Sequence, residues 1–244
     1  MDLKDKVALV TGGSRGIGKA ICMDLAAHGA HIALTYNAKE ELALETVREI
    51  EKTGRKARHY RANLYDRAEI SAVVQQIVED FDTINILVNN AGIIGENTIL
   101  LEIGEEEWDR VLNLNLKGVF LLTQCVLPYM IGNRMGKIVN ISSLAGKNGG
   151  TMGVHYAASK AGLIGMTFHL ARELIEHNIE VNAVAPGPVD TDLLTPEDKS
   201  RLAALSPNGR LAYPEEIAHG VRFLIENDYV NGEVLDINAG RYMD

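Results

Sequence analysis

Seven short runs rich in β-branched residues alternate with segments of helical length along this 244-residue chain. That alternation predicts an α/β fold: a doubly wound, seven-stranded parallel sheet with helices on both faces. The runs are continuously apolar rather than alternately polar, as in strands buried on both faces. No repeat, low-complexity tract or Pro/Gly-rich linker divides the chain, so one domain spanning 1–244 is expected.

The elements follow in order. KVALVT (6–11) precedes a helical pattern at about 16–29, and HIALTY (31–36) precedes one at 39–53. ARHYRA (57–62) is followed by 66–81, then INILVN (84–89), a long pattern over 105–131, and KIVNIS (137–142). The pattern at 156–177 leads to IEVNAVA (179–185), and 214–226 leads to EVLDIN (233–238). Between 186 and 213 stand Pro186, Pro188, Pro196 and Pro207, which exclude one continuous helix. A long excursion there is expected as a lid over the carboxyl edge of the sheet, where such folds hold ligands.

Composition narrows the function. Hydrophobic residues make up 46% of the chain, enough for a large core. A net charge of −9 disfavours a nucleic-acid partner. Cys22 and Cys125 form no CxxC, so neither a disulfide framework nor a metal site is expected. The N-terminal MDLKDKVALV holds too short an apolar run for a signal peptide. VFLLTQCVLPYM is interrupted by Thr123, Gln124 and Pro128, so no membrane span is expected and the protein is placed in the cytoplasm.

Chemistry concentrates where strands end. In TGGSRGIG (11–18), Gly12, Gly16 and Gly18 permit a tight turn and close approach of backbone to ligand. The following helix aims free N–H groups at an anion, so the loop reads as a pyrophosphate cradle. Its spacing is not GxGxxG, and no GK[ST] closes it, which disfavours nucleotide hydrolysis. NNAG (89–92) ends the fourth strand and Ser142 with Ser143 ends the fifth, their side chains directed to opposite faces. Asn115 lies within the long helical pattern, where a polar side chain wants a partner. Tyr156 and Lys160 in HYAASKAG are four apart, so a helix stacks them on one face. A neighbouring ammonium lowers a phenol pKa that is otherwise about 10. Each feature alone also has a structural reading: a turn glycine, a satisfied asparagine, an amphipathic helix with a solvated lysine.

Taken jointly and in order, TGxxxGxG, NNAG, the helical Asn, Ser and YxxxK resemble the short-chain dehydrogenase/reductase family over essentially the whole chain. Ser143, thirteen residues before Tyr156, has the family spacing; Ser142 does not. Within the family the likeness is greatest to the 3-oxoacyl-[acyl-carrier-protein] reductases. The resemblance implies a single Rossmann domain, commonly a homotetramer, with catalytic residues Asn115, Ser143, Tyr156 and Lys160. Tyr156 would protonate a carbonyl oxygen, Lys160 lower its pKa and bind the nicotinamide ribose, Ser143 hold the substrate oxygen, and Asn115 hold a relay water. The cofactor would meet Gly12, Gly13, Ser14, Arg15, Gly16, Ile17 and Gly18, then Tyr36, Asn37, Asn63 and Leu64. It would further meet Asn90, Ala91, Gly92, Tyr156, Lys160, Pro186, Gly187, Val189 and Thr191.

NAD-preferring relatives place an Asp at the end of strand two; here Tyr36 stands there, and Arg15 lies in the glycine loop. NADP(H) is therefore favoured, with NAD(H) the alternative. The implied reaction is NADPH-dependent reduction of a 3-oxoacyl thioester. The alternatives are a secondary-alcohol, sugar/polyol or steroid dehydrogenase with the same residues, or a non-enzymatic nucleotide-binding protein, which has no need of a proton relay. Arg134 and Arg172 fall where the carrier-protein reductases have arginines that meet the acidic carrier. Their structural readings are a solvated loop charge and a helix-surface pair with Glu176. The long helices carry more apolar residues than one sheet face needs, among them Val111, Leu112, Leu114, Leu116, Val119, Phe120, Leu121, Leu122, Leu163, Ile164 and Met166. The surplus predicts a tetramer of twofold symmetry that also uses the C-terminal AGRYMD (239–244).

Overall fold

Strand pleating sorts the core. On β1 (Val7–Val10) the side chains of Ala8 and Val10 enter one apolar layer and those of Val7 and Leu9 the other. The computed structural model describes residues 1–243; Asp244 of the C-terminal segment lies outside the described residues. The further strands are β2 (His31–Tyr36), β3 (Ala57–Arg61), β4 (Ile86–Asn89), β5 (Gly136–Ile141), β6 (Ile179–Pro186) and β7 (Val234–Ile237). They form one sheet in the order β3-β2-β1-β4-β5-β6-β7, and every pairing is parallel. The order reverses between β1 and β4, so the loops after these strands diverge and open a crevice at their carboxyl ends.

Helices α1 (Gly16–Ala27), α2 (Glu40–Glu51), α3 (Arg67–Phe81), α4 (Glu105–Leu112), α5 (Val119–Asn133), α6 (Leu144–Asn148), α7 (Val154–Leu174), α8 (Pro196–Ala204) and α9 (Pro214–Glu226) cover the sheet and its edge. Ile21, Leu25, Val47, Ile217 and Val221 bring α1, α2 and α9 onto one face. Ile70, Val74, Leu122, Val126 and Leu174 bring α3, α5 and α7 onto the other.

Two elements depart from the sequence reading. The expected single helix over 105–131 is divided by a π-helical turn, Asn113–Gly118. Gly118 packs so closely that a Cβ there would lie 2.7 Å from the Leu64 carbonyl oxygen. The widened turn carries Asn115 into the interior, where it is fully buried. Residues 105–133 are long and apolar enough to cross a membrane by composition. Here Leu121, Leu122, Val126 and Met130 instead pack on the sheet, and Thr123 Oγ1 accepts a hydrogen bond from Asn89 in the core. The other departure is α6, five residues long and absent from the expected elements. The 186–213 connection, as expected, is not one helix; it holds α8, with Pro196 at its first turn and Thr195 accepting from the Asp198 N–H.

Candidate active site

The glycine loop has little room for side chains, so its backbone borders the cleft directly. Gly12 and Gly16 have φ of 64° and 52°, the left-handed region. A Cβ on Gly18 would stand 2.2 Å from the Gly12 carbonyl oxygen, so helix and loop touch backbone to backbone. Helix α1 has no side-chain cap at Arg15 and no acid in its first turn, leaving its first N–H groups directed to the cleft. Thr11 Oγ1 accepts from the N–H groups of both Asn90 and Ala91 at 2.9 Å. The loops after β1 and β4 are thereby fastened together across the crevice.

The chemical end is made of side chains. After β5, pleating turns Ser142 inward, 3% exposed, where its Oγ donates to the Lys160 carbonyl at 2.8 Å. Ser143 turns outward, caps α6 by accepting from Ala145 N–H at 3.1 Å, and stands beside the Tyr156 hydroxyl, whose pKa it lowers. Close packing holds this arrangement: a Cβ on Gly146 would lie 2.7 Å from the Lys160 carbonyl carbon. On α7, Tyr156 and Lys160 share a face, the ammonium 5.8 Å from the ring centre.

Lys160 is 4% exposed, and its Nζ donates to the Ile141 carbonyl at 2.8 Å. Burial pushes its pKa down to about 8. The net shift at Tyr156 is upward, against the expected lowering. Desolvation raises that pKa, and the neighbouring Ser143 hydroxyl opposes it only in part. The ammonium lies beyond hydrogen-bond reach of the phenol and is committed to a backbone oxygen. Asn115 accepts from Ile93 N–H at 2.9 Å and donates to Ile93 C=O at 2.8 Å and Ser159 Oγ at 3.1 Å. A Cβ on Gly92 would come within 3.1 Å of Asn115 Oδ1 and 3.5 Å of Lys160 Nζ, so both atoms bound the same small space.

One cleft of about 690 Å³ joins the two ends. Ser143, Tyr156 and Lys160 line it, and so does every residue expected to meet the cofactor except Gly13. Gly13 faces away, its missing side chain making room for Leu34 and Cys22. Asn115 also lies behind the wall, acting on it through Ile93. Lys39 lines the same cleft, as do Asn148, Leu193 and Arg241, which the sequence reading missed. At the end of β2, the Tyr36 ring stacks on His59 with centres 5.6 Å apart, and His59 Nε2 in turn pairs with the Glu40 carboxylate at 3.3 Å. Glu40 is thereby held outside the lining, while Arg15 and Lys39 are within it. Arg134 is exposed at the end of α5 and donates to the Glu176 carbonyl at 3.1 Å. Arg172 borders a shallow groove with Phe168 and Ile175 and, among the described residues, makes no ion pair with Glu176.

Residues 6–202 match the family model described as short chain dehydrogenase. The 3-oxoacyl-[acyl-carrier-protein] reductase of Thermotoga maritima is 46% identical, the match covering 98% of this chain and 99% of that one. The enzyme of the same name from Escherichia coli is 40% identical over the full length of both. The crystal structure of levodione reductase superposes with a TM-score of 0.92 at 32% identity, covering 98% of each chain.

Proposed function

The chain belongs to the short-chain dehydrogenases and is an oxidoreductase using a nicotinamide dinucleotide. From that premise we propose that it reduces a 3-oxoacyl thioester, presented on acyl-carrier protein or coenzyme A, to the 3-hydroxyacyl thioester with NADPH. The observation that carries the chemistry is that Ser143, Tyr156 and Lys160 open onto the same cleft as the glycine cradle. The substrate class rests on the likeness to the carrier-protein reductases of two bacteria over nearly whole chains.

The nicotinamide, when bound, supplies the hydride. Tyr156 donates its proton to the carbonyl oxygen; its raised pKa keeps that proton on the phenol at neutral pH. Ser143 directs its hydroxyl to the same oxygen and stabilises the developing negative charge. Lys160, charged below about pH 8, binds the ribose hydroxyls and stabilises the phenolate left when Tyr156 gives up its proton. Asn115 fixes the Ile93 backbone beside Lys160 and borders the space a relay water needs. The phosphate preference rests on Arg15 and Lys39 lining the adenosine end with no carboxylate from β2 beside them. A cytoplasmic homotetramer follows the same reading: Phe120 and Phe168 are 49% and 46% exposed on the long helices. Arg134 and Arg172, brought to the same end of α7 through Glu176, would meet the acidic carrier.

The experiment is a turnover panel: acetoacetyl thioesters with NADPH against secondary alcohols, sugars and steroids with NADP⁺. Turnover of the thioesters far above the rest is expected. A preference for a sugar or steroid replaces the substrate class and leaves the oxidoreductase assignment standing.

A further inference from the structure

The turn after β7 places one cation where nothing among the described residues pairs with it. Ala239 and Gly240 have φ of 55° and 78°, so the chain reverses sharply, and Arg241 N–H donates back to the Asn238 carbonyl at 3.1 Å. The turn is wedged between the two walls of the chemical end. On one side, a Cβ on Gly187 would lie 3.1 Å from the Asn238 Cα, so the turn rests on the loop after β6. On the other, Lys147 of α6 pairs with Asp236 at 2.6 Å and lies over the Tyr242 ring at 5.6 Å. Arg241 lines the cleft between them, sharing it with Asn148, Met152, Pro188 and Tyr156.

Among the described residues its buried Nη1 has no hydrogen-bond partner, and neither does the buried Nδ2 of Asn238, whose Oδ1 accepts from Tyr242 N–H. Asp236 Oδ1, an unpartnered acceptor in this segment, makes no bond to Arg241. A guanidinium nitrogen out of water and unpaired is costly unless an acceptor arrives. Its planar fork matches phosphate and carboxylate oxygens.

We propose that Arg241 is a specificity-determining residue that binds an anionic oxygen group, phosphate or carboxylate, carried by the substrate away from its reacting carbonyl. This rests on the reading of the cleft as a 3-oxoacyl thioester reductase and narrows its substrates to those bearing such a group. The anion comes either from the pantetheine phosphate of the thioester's carrier or from the acyl chain.

Two substrate pairs separate these sources, assayed with saturating NADPH. One pair is acetoacetyl-pantetheine with and without its 4′-phosphate. The other is a 3-oxoacyl N-acetylcysteamine thioester ending in a carboxylate and its methyl ester. The quantity read is the charged-to-neutral ratio of kcat/KM. In the native enzyme one pair should show a ratio of about tenfold to a hundredfold, the range of a charge-assisted hydrogen bond. The ratio should fall towards unity in Arg241→Met and be intermediate in Arg241→Lys, both checked for folding by thermal melting. The responding pair identifies the source. Ratios unaltered by substitution in both pairs overturn the proposal. Should no thioester be turned over, the thioester reading fails separately. Arg241 is then judged by calorimetric titration of the NADP⁺-bound protein with pantetheine 4′-phosphate, pantetheine and glutarate. Native and Arg241→Met proteins with equal affinities for the anions overturn it.

Discussion

The two ends of the cleft are built from different materials. At the dinucleotide end the walls are backbone: glycines without room for a Cβ, and the first N–H groups of α1. At the chemical end they are side chains, each held by a backbone group: Lys160 by the Ile141 carbonyl, Asn115 by Ile93, Ser143 by the Ala145 N–H. A backbone wall recognises shape and partial charge and cannot gain or lose a proton. A side-chain wall can, provided burial and neighbours set its pKa. Substitutions at the first end should change binding, and those at the second should change turnover.

The largest effect tests this division directly. Tyr156→Phe removes one hydroxyl and leaves the ring, so kcat should fall by about 10² to 10⁴ while nucleotide affinity holds. Gly18→Ala should do the reverse of this split, because its methyl would stand 2.2 Å from the Gly12 oxygen and push the cradle apart. Overpacking of this kind costs about 1–3 kcal/mol, and here it should appear as lost nucleotide affinity. Steady-state rates and fluorescence titration of nucleotide on both variants would read it. A Phe variant with near-native kcat would remove Tyr156 from the chemistry.

Adjacent serines sharpen the comparison within the chemical end. Ser143→Ala removes a hydroxyl that faces the cleft and Tyr156, and kcat should drop by about 10² to 10³, as for a lost oxyanion donor. Ser142→Ala removes a buried bond to the Lys160 carbonyl. That should cost about 1 kcal/mol of stability with a milder loss of rate. Thermal melts and kcat measured on the two variants separate the roles; the opposite ranking would exchange them.

At the dinucleotide end the expected effect is smaller, about tenfold in kcat/KM for NADPH over NADH, equivalent to about 1.4 kcal/mol. Arg15→Ala should weaken NADPH far more than NADH. Tyr36→Asp should move the preference towards NADH by placing a carboxylate against the 2′-phosphate. Initial rates with both reduced cofactors at matched concentration decide it, and equal or NADH-favouring values would sink the assignment.

What was legible in the sequence divides along the same line. The glycine loop, the Tyr156–Lys160 pair and all seven strands are local patterns, so periodicity and spacing reveal them. Helix α6 is too short for a period to register, and the π-helical turn depends on Gly118 meeting Leu64 from a distant strand end. Choosing Ser143 over Ser142 needed the family spacing, since pleating alone says only that the two diverge. Arg241 was invisible for a topological reason. The turn after β7 carries it to the cleft, and its neighbours there are remote in sequence. The raised Tyr156 pKa was missed because spacing gives proximity to Lys160 but not the desolvation that outweighs it.

The smallest effect at neutral pH comes from Lys160, and its sign can be derived. Burial lowers its pKa from 10.5 to about 8, so the folded protein releases this proton sooner than the unfolded chain does. Between these values the unfolded state binds more protons, and stability therefore rises with pH across the window. The penalty for burying the ammonium is fully present below pH 8 and is relieved above it. Denaturant melts should show this slope in the native protein and a flatter one in Lys160→Met; any constant loss from the freed Ile141 carbonyl cancels in the slope. Catalysis should move the other way. Loss of the ammonium removes the charge that supports proton donation, so kcat/KM for reduction should decline through a midpoint near pH 8. The phenol, with its pKa raised, stays protonated through that range and so does not cause the decline. In Lys160→Arg the guanidinium keeps its charge, and whatever rate survives should lose the limb at pH 8. A limb that persists there unchanged would belong to another group, and the chemical end would then owe its pH response to something other than its one buried lysine.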